Sequence, residues 1–297
     1  MILGHLPTGS FRERLNAAAQ AHQSWLCVGL DPDPSLAPAG TELADWLSQF
    51  LGGIVEATAD LVCCYKPNLA FFEALGPIGM DVLRRTREAI PSDIPTLGDA
   101  KRGDTPHTMR AYATALFDQL GFDAVTVSPY LGGDALQPFF AYLDRGVFVL
   151  CKTSSPGSGE LQDLTVQASD GTREPIYRYI ARRALTWDRH GTLGLVVGAT
   201  YPADVAAVRE VAPRVPILLP GVGAQGGDLE AAVQAGIDAN GGGIIVNASR
   251  SIVYASLGPD WQSRAREEAE RLRIAIQAAT GARRQTSDNR RLAPGTV

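Results

Sequence analysis

Eight short apolar runs recur along the chain: Trp25–Leu30, Leu61–Tyr65, Ile94–Gly98, Ala124–Ser128, Val147–Cys151, Leu193–Ala199, Val215–Leu219 and Gly243–Ala248. They are rich in Val, Ile, Leu and Cys, and most lack the polar alternation of a strand with one wet face. That pattern predicts strands buried on both sides, as in a parallel sheet. Longer amphipathic stretches separate them. Thr41–Ala59 places Leu43, Trp46, Leu47, Phe50, Leu51 and Ile54 on one helical stripe. Further helices are predicted over 79–90, 105–120, 134–144, 174–190, 202–212 and 227–236, and a last one from Pro259 to Ala279. Strand then helix, eight times over, predicts the α/β class and a (β/α)₈ barrel. An open doubly wound sheet is the other arrangement, but it rarely needs eight units in succession. An additional helix near 11–22 is expected to close the bottom of the barrel. No linker divides the chain, so residues 1–281 are read as one barrel domain. Residues 282–297, polar with Gly and Pro, are read as a C-terminal tail.

The length of 297 residues also allows two domains of about 150, but a barrel of roughly 250 with additions accounts for it equally well. Hydrophobic residues make up 45% and charged residues 20%, which supports a large core and rules out global disorder. The net charge of −5 argues against a general nucleic-acid binder. No apolar stretch is long enough to span a membrane, and Met1 to Ser10 lacks the basic start and apolar run of a signal peptide. The expected location is cytoplasmic. Cys27, Cys63, Cys64 and Cys151 all lie inside apolar runs without a C-x-x-C pair, so they read as buried free thiols; Cys63 and Cys64, being neighbours, are expected on opposite faces of a strand. His5, His22, His107 and His190 form no ligand cluster, and no metal site is expected.

In a barrel, the chemistry sits where strands end at their C-terminal side. There the chain gathers charge: Asp31 after the first run, Lys66 after the second, and Asp99, Lys101 and Asp104 after the third. Asp99 and Lys101 are two apart, which puts them on one side of a strand, with Lys66 in reach on the neighbouring strand. Alternating charges offset the cost of burying each one singly. Such a cluster is either a catalytic array or a structural salt-bridge cluster at the rim. Ser154 follows the fifth run, in a long polar loop. Gly221, Gly223 and Gly226 formally match G-x-G-x-x-G, but too late in the chain and without the following acidic residue. The better reading is the phosphate site that barrels build after strands seven and eight, where Arg250 adds a bidentate charge.

With these residues in view, the segments CVGLDPDP, YKPNLAFFEALG, DAKRGDT, KTSSPGS, LLPGVGAQGGD and IIVNASRSI resemble orotidine 5′-phosphate decarboxylase in its longer bacterial form, over roughly residues 24–257. The resemblance implies decarboxylation of orotidine 5′-monophosphate to UMP and CO₂ by a homodimer of barrels, with no metal and no organic cofactor. It implies that Lys101 protonates C6, that Asp99 lies beside the departing carboxylate, and that Lys66 pairs with the aspartates and contacts the ribose. Asp104 would complete the partner subunit's site. Asp31 and Thr108 would meet the ribose or nearby polar groups, Ser154 the pyrimidine edge, and Gln225 and Arg250 the phosphate, beside Gly223 and Ser249. Two departures stand out: Thr105, where the family usually carries isoleucine, and the glycine-rich Asn240 to Gly243. Two other readings remain: a Mg²⁺-dependent sugar-phosphate decarboxylase sharing D-x-K-x-x-D, whose metal ligands would have to replace Lys66, and a nucleotide-binding barrel without catalysis.

Overall fold

The computed structural model describes residues 9–222 and 228–292, with side chains to residue 281. Eight parallel strands form one sheet: β1 (Leu26–Gly29), β2 (Cys64–Lys66), β3 (Leu97–Arg102), β4 (Ala124–Val127), β5 (Gly146–Lys152), β6 (Leu193–Val197), β7 (Ile217–Leu219) and β8 (Ile244–Ala248). Their spatial order is β2-β1-β8-β7-β6-β5-β4-β3. The two ends meet through parallel bridges, Tyr65 with Thr96 and Asn68 with Asp99. The sheet therefore returns on itself as the expected (β/α)₈ barrel. Between the strands run α2 (Leu43–Thr58), α3 (Gly76–Ala89), α4 (Pro106–Ala113), α5 (Gly133–Phe140), α6 (Ile176–Trp187), α7 (Pro202–Val211) and α8 (Leu229–Gly236), after an N-terminal α1 (Phe11–Ala21) and before a final α9 (Trp261–Leu292).

Each strand sends one side chain into the lower barrel. Cys27, Cys64, Leu97, Ala124, Phe148, Val196, Leu218 and Ile245 pack together there, joined by Phe11, Leu15 and Ala19 of α1. The additional N-terminal helix thus plugs the bottom. Ser10 starts it with a reciprocal capping box to Glu13, and Phe11 meets Phe148 edge to face at 5.7 Å. The other strand faces point outward to the helices and form the larger core. All four cysteines are buried and free. Cys63 and Cys64 both pack into the lower cluster, because Cys63 precedes β2 and so escapes its alternation.

Three boundaries differ from the pattern. The helix over 105–120 changes from α4 to a π-helical stretch, Thr114–Gln119. The polar loop after β5 holds a short antiparallel hairpin, Thr165–Gln167 against Arg173–Pro175. Finally, α9 continues past 281, where the polar composition suggested a tail; the sequence there has Ala, Arg and Gln and no proline before Pro294. Among the described residues, no helix is long and apolar enough to cross a membrane.

Candidate active site

At the C-terminal end of β3 the backbone leaves regular geometry. Its pairing with β4 slips between Gly98 and Arg102, and Lys101 adopts φ +47°, a region costly for a side chain with a Cβ. The strain is held by Thr126 on β4. Its buried hydroxyl accepts the Lys101 backbone N–H at 2.9 Å and donates to Asp99 Oδ1 at 2.9 Å. The result turns the Lys101 ammonium onto Asp99 Oδ1 at 2.6 Å, while Lys66 Nζ reaches Asp99 Oδ2 from β2 at 3.2 Å. Asp99 is thus a carboxylate between two cations, as the spacing suggested.

Charge decides its state. Burial alone would push the Asp99 carboxyl up, but Lys66 and Lys101 outweigh burial and hold it at about 2. Burial opposes the Lys66 ammonium as well; Asp99 and Asp31 overcome this and raise its pKa. Lys66 is 4% exposed, whereas the Lys101 side chain is 46% exposed. Lys66 is therefore enclosed by the protein, whereas the Lys101 ammonium is open to solvent.

Next to this array a cavity of about 550 Å³ opens between the strand ends. Asp31, Asn68, Ser154, Asn247, Ser249 and Arg250 line it. Asp31 is fixed on both oxygens: Asn68 N–H donates to Oδ1 at 3.2 Å and Ser249 Oγ–H to Oδ2 at 2.5 Å. This approach needs Gly29, because a Cβ there would lie 2.8 Å from Ser249 Oγ. Tyr254 donates its phenol to the Asp31 carbonyl at 2.7 Å, and burial pushes that phenol up. Gly221, at φ +94°, and Val222 continue the wall into the glycine-rich loop. Arg250, exposed, opens the single turn Arg250–Val253.

The sequence candidates fall into four groups. Lys66, Asp99 and Lys101 are assembled, and Asp31, Ser154, Ser249 and Arg250 surround the cavity beside them. Asp104 and Thr108 are brought to neither within one chain: Asp104 accepts Thr105 N–H at 2.6 Å, and Thr108 faces the Thr105 hydroxyl at 3.4 Å. Gln225 and Gly223 lie outside the described residues. Thr105 is exposed and is not a cavity wall. Three contributors escaped the sequence reading. Thr126 is a lone hydroxyl in an apolar strand, which was the available signal. Asn68 and Asn247 sit inside motifs where the charged neighbours drew attention. Among the described residues, no three His, Cys, Asp or Glu side chains gather as a metal site.

Comparison with known proteins gives one family. A sequence profile described as "Orotidine 5'-phosphate decarboxylase / HUMPS family" matches residues 24–265. The chain is 51% identical over 270 residues to a protein of Thermomicrobium roseum named orotidine 5′-phosphate decarboxylase, covering 90% of this chain and 95% of that one. A protein of the same name from Roseiflexus castenholzii is 50% identical over 272 residues, covering 91% and 98%. Among solved structures, the OMP decarboxylase of Leishmania donovani superposes with a TM-score of 0.78 at 41% identity, covering 91% of this chain and 99% of that one.

Proposed function

The chain belongs to the orotidine 5′-phosphate decarboxylase / HUMPS family, and we propose that it converts orotidine 5′-monophosphate to UMP and CO₂ with Lys101 as the proton donor. Its relatives of about half-identical sequence are named decarboxylases, which selects this carboxy-lyase activity within the family. The observation that carries the assignment of roles is Asp99 held between Lys66 at 3.2 Å and Lys101 at 2.6 Å.

The reaction breaks the bond from C6 to the carboxylate. CO₂ leaves, the electron pair stays on C6, and one proton must be supplied there. The ring offers that carbanion little resonance help, so the main requirement is a fixed positive charge at C6. Lys101 meets it: its ammonium stabilises the developing charge and then transfers a proton to C6. Asp99 orients the Lys101 ammonium and lies beside the leaving carboxylate. Lys66 keeps Asp99 ionised and reaches toward the ribose with Asp31. Ser154 meets the pyrimidine edge. Arg250, with Ser249 and the loop carrying Gly223 and Gln225, takes the phosphate, whose binding energy is remote from the reacting carbon and serves to fix the ring over Lys101. No nucleophile and no cofactor are required by this scheme.

Asp104 fits a second role. No cation pairs with it among the described residues, and it sits just beyond β3, at the entry to α4. Nearby, the short helix Leu69–Glu73 after β2 exposes Phe71 and the loop after β4 exposes Tyr130 and Leu131, with Tyr130 81% exposed. A second copy of the chain covering these loops would bury apolar surface and bring Asp104 to the partner's array, giving a homodimer with shared sites. A Mg²⁺-dependent sugar-phosphate decarboxylation is disfavoured because the end of β2 presents Lys66, a cation, where a metal ligand would stand.

The test is direct. Purified protein in EDTA is given orotidine 5′-monophosphate, the orotate chromophore is followed, and the product is identified. Metal-independent formation of UMP is expected; absence of turnover, with UMP still bound, would leave a nucleotide-binding barrel without catalysis.

A further inference from the structure

Among the described residues, Lys152 is the most deeply buried charged side chain that the proposed reaction does not use. It ends β5, and its side chain is 1% exposed. Regular alternation from Phe148, which faces the barrel interior, would point it into the barrel mouth. Instead, pairing with β6 slips between Leu150 and Lys152, and the extra residue turns Lys152 outward between α6 and α7. There its ammonium pairs with Asp163, lies 4.0 Å from Asp204 on α7, and sits over the rings of Tyr201 at 4.9 Å and Tyr177 at 5.8 Å.

Burying an ammonium is costly, and an apolar side chain of the same volume usually serves stability as well or better. What Lys152 provides beyond stability is a junction. Asp163 closes the loop that begins at Thr153, so the Lys152–Asp163 pair ties the two ends of residues 153–163 together. A second tie lies directly above it: Thr153 N–H donates to Gln162 Oε1 at 2.8 Å, and Gln162 Nε2 donates back to Thr153 Oγ1 at 3.2 Å. On the other side Gly198 N–H donates to the Lys152 carbonyl at 2.9 Å. Ser154 rests on Gly198 so closely that a Cβ there would lie 2.8 Å from Ser154 N. Ser154 is also a wall of the cavity.

We infer that Lys152 is a positioning residue: through Asp163 it clamps the 153–163 loop against α7 and thereby sets Ser154 for the base of the nucleotide. The inference rests on the nucleotide site proposed above, and it adds a buried cation remote from the reacting carbon as a determinant of base recognition. Asp204, Tyr177 and Tyr201 form the socket, and Asp163, half exposed, is the latch.

Binding of two ligands separates this role from general stabilisation. UMP carries the base and ribose 5-phosphate does not, so a clamp acting through Ser154 affects only the first. In calorimetric titrations, Lys152→Met is expected to weaken UMP by about tenfold, the worth of one well-placed hydrogen bond, and to leave ribose 5-phosphate within about twofold. Asp163→Asn, whose side chain is largely at the surface, is expected to do the same, and the double variant to lose no more than either single one, since both break one pair. If Lys152→Met does not fold, Asp163→Asn alone decides. UMP bound by the variants as tightly as by the parent would overturn the inference, as would a parallel loss of both ligands. A parent protein that binds neither ligand would instead sink the nucleotide reading of the site.

Discussion

Thr126 donates its hydroxyl hydrogen to Asp99 Oδ1 at 2.9 Å, linking the end of β4 to the centre of the charge array. The same oxygen accepts the backbone N–H of Lys101, so one buried hydroxyl fixes both the carboxylate and the strained residue whose ammonium faces it. Thr126→Val keeps the shape and removes both bonds. It leaves the Lys101 N–H without its partner, a loss of about 1–3 kcal/mol for a buried donor. Turnover is expected to fall by about ten- to a hundredfold as Lys101 loses its fixed position, with a smaller effect on KM. Steady-state kinetics together with a thermal melt check this; a melt shifted downward with unchanged kcat would show that Thr126 serves the fold alone.

The charge state of the array predicts a pH profile. Asp99 titrates at about 2, below the ordinary 3.8, and Lys66 above its ordinary 10.5. The depressed carboxyl contributes stability that is complete above about pH 4 and is lost as pH falls toward 2, worth about 2 kcal/mol at 1.36 kcal/mol per pKa unit. The raised lysine contributes stability present below its ordinary value and lost only as pH rises through the higher folded one. Neither group changes charge near neutrality. Consequently kcat is expected to show no inflection from Asp99 or Lys66 between about pH 5 and 9, and an acid limb in kcat/KM near pH 6 is expected from the substrate phosphate, whose second ionisation lies at about 6. An acid limb near 6 in kcat itself would contradict this assignment.

The sequence made the barrel readable because strands buried on both faces are nearly continuous apolar runs, and eight of them can be counted. Lys66, Asp99 and Lys101 were readable for a related reason: charge at the ends of such runs stands out against the apolar pattern, although spacing alone left a structural salt-bridge cluster open. What stayed hidden depends on register. β3 begins at Leu97 rather than Ile94, because Ile94 N–H still closes a turn onto the Pro91 carbonyl. Its slip near Lys101, and that of β5 near Lys152, follow from no periodicity, yet they decide which way two lysines point. Asp104 shows another limit: its motif spacing is plain, but within one chain its carboxylate takes only the local Thr105 N–H, and the role proposed for it rests on a second copy of the chain.

Arg250 opens the turn after β8 beside the cavity that Gly221 and Val222 continue. If it holds the phosphate, Arg250→Ala weakens ligands in proportion to that group. UMP affinity is expected to fall by about ten- to a hundredfold, the usual worth of a charge-assisted contact of 1.5–3 kcal/mol, while uridine, already weak, is expected to bind as it does to the parent. Titration of both ligands against both proteins checks it. Equal weakening of the two would place the phosphate elsewhere in the cavity.

Subunit mixing tests the homodimer and the shared aspartate together. Lys101→Ala removes the proposed proton donor, and Asp104→Ala removes the carboxylate proposed to act in the partner's array, so each homodimer is expected to be inactive or nearly so. After the two are mixed and exchanged, half of the dimers are heterodimers by random assortment. In each heterodimer, the site with an intact Lys101 belongs to the Asp104→Ala subunit, and it receives Asp104 from the Lys101→Ala subunit. One site in such a dimer is whole and the other lacks both groups. Activity should therefore recover to about a quarter of the parent value, half the dimers with one of two sites each, the expectation for isologous sharing. Exchange is verified separately by native mass spectrometry of subunits with distinguishable masses. Recovery near that level supports the shared site. Mixed dimers that form and stay inactive would return Asp104 to a role within its own subunit.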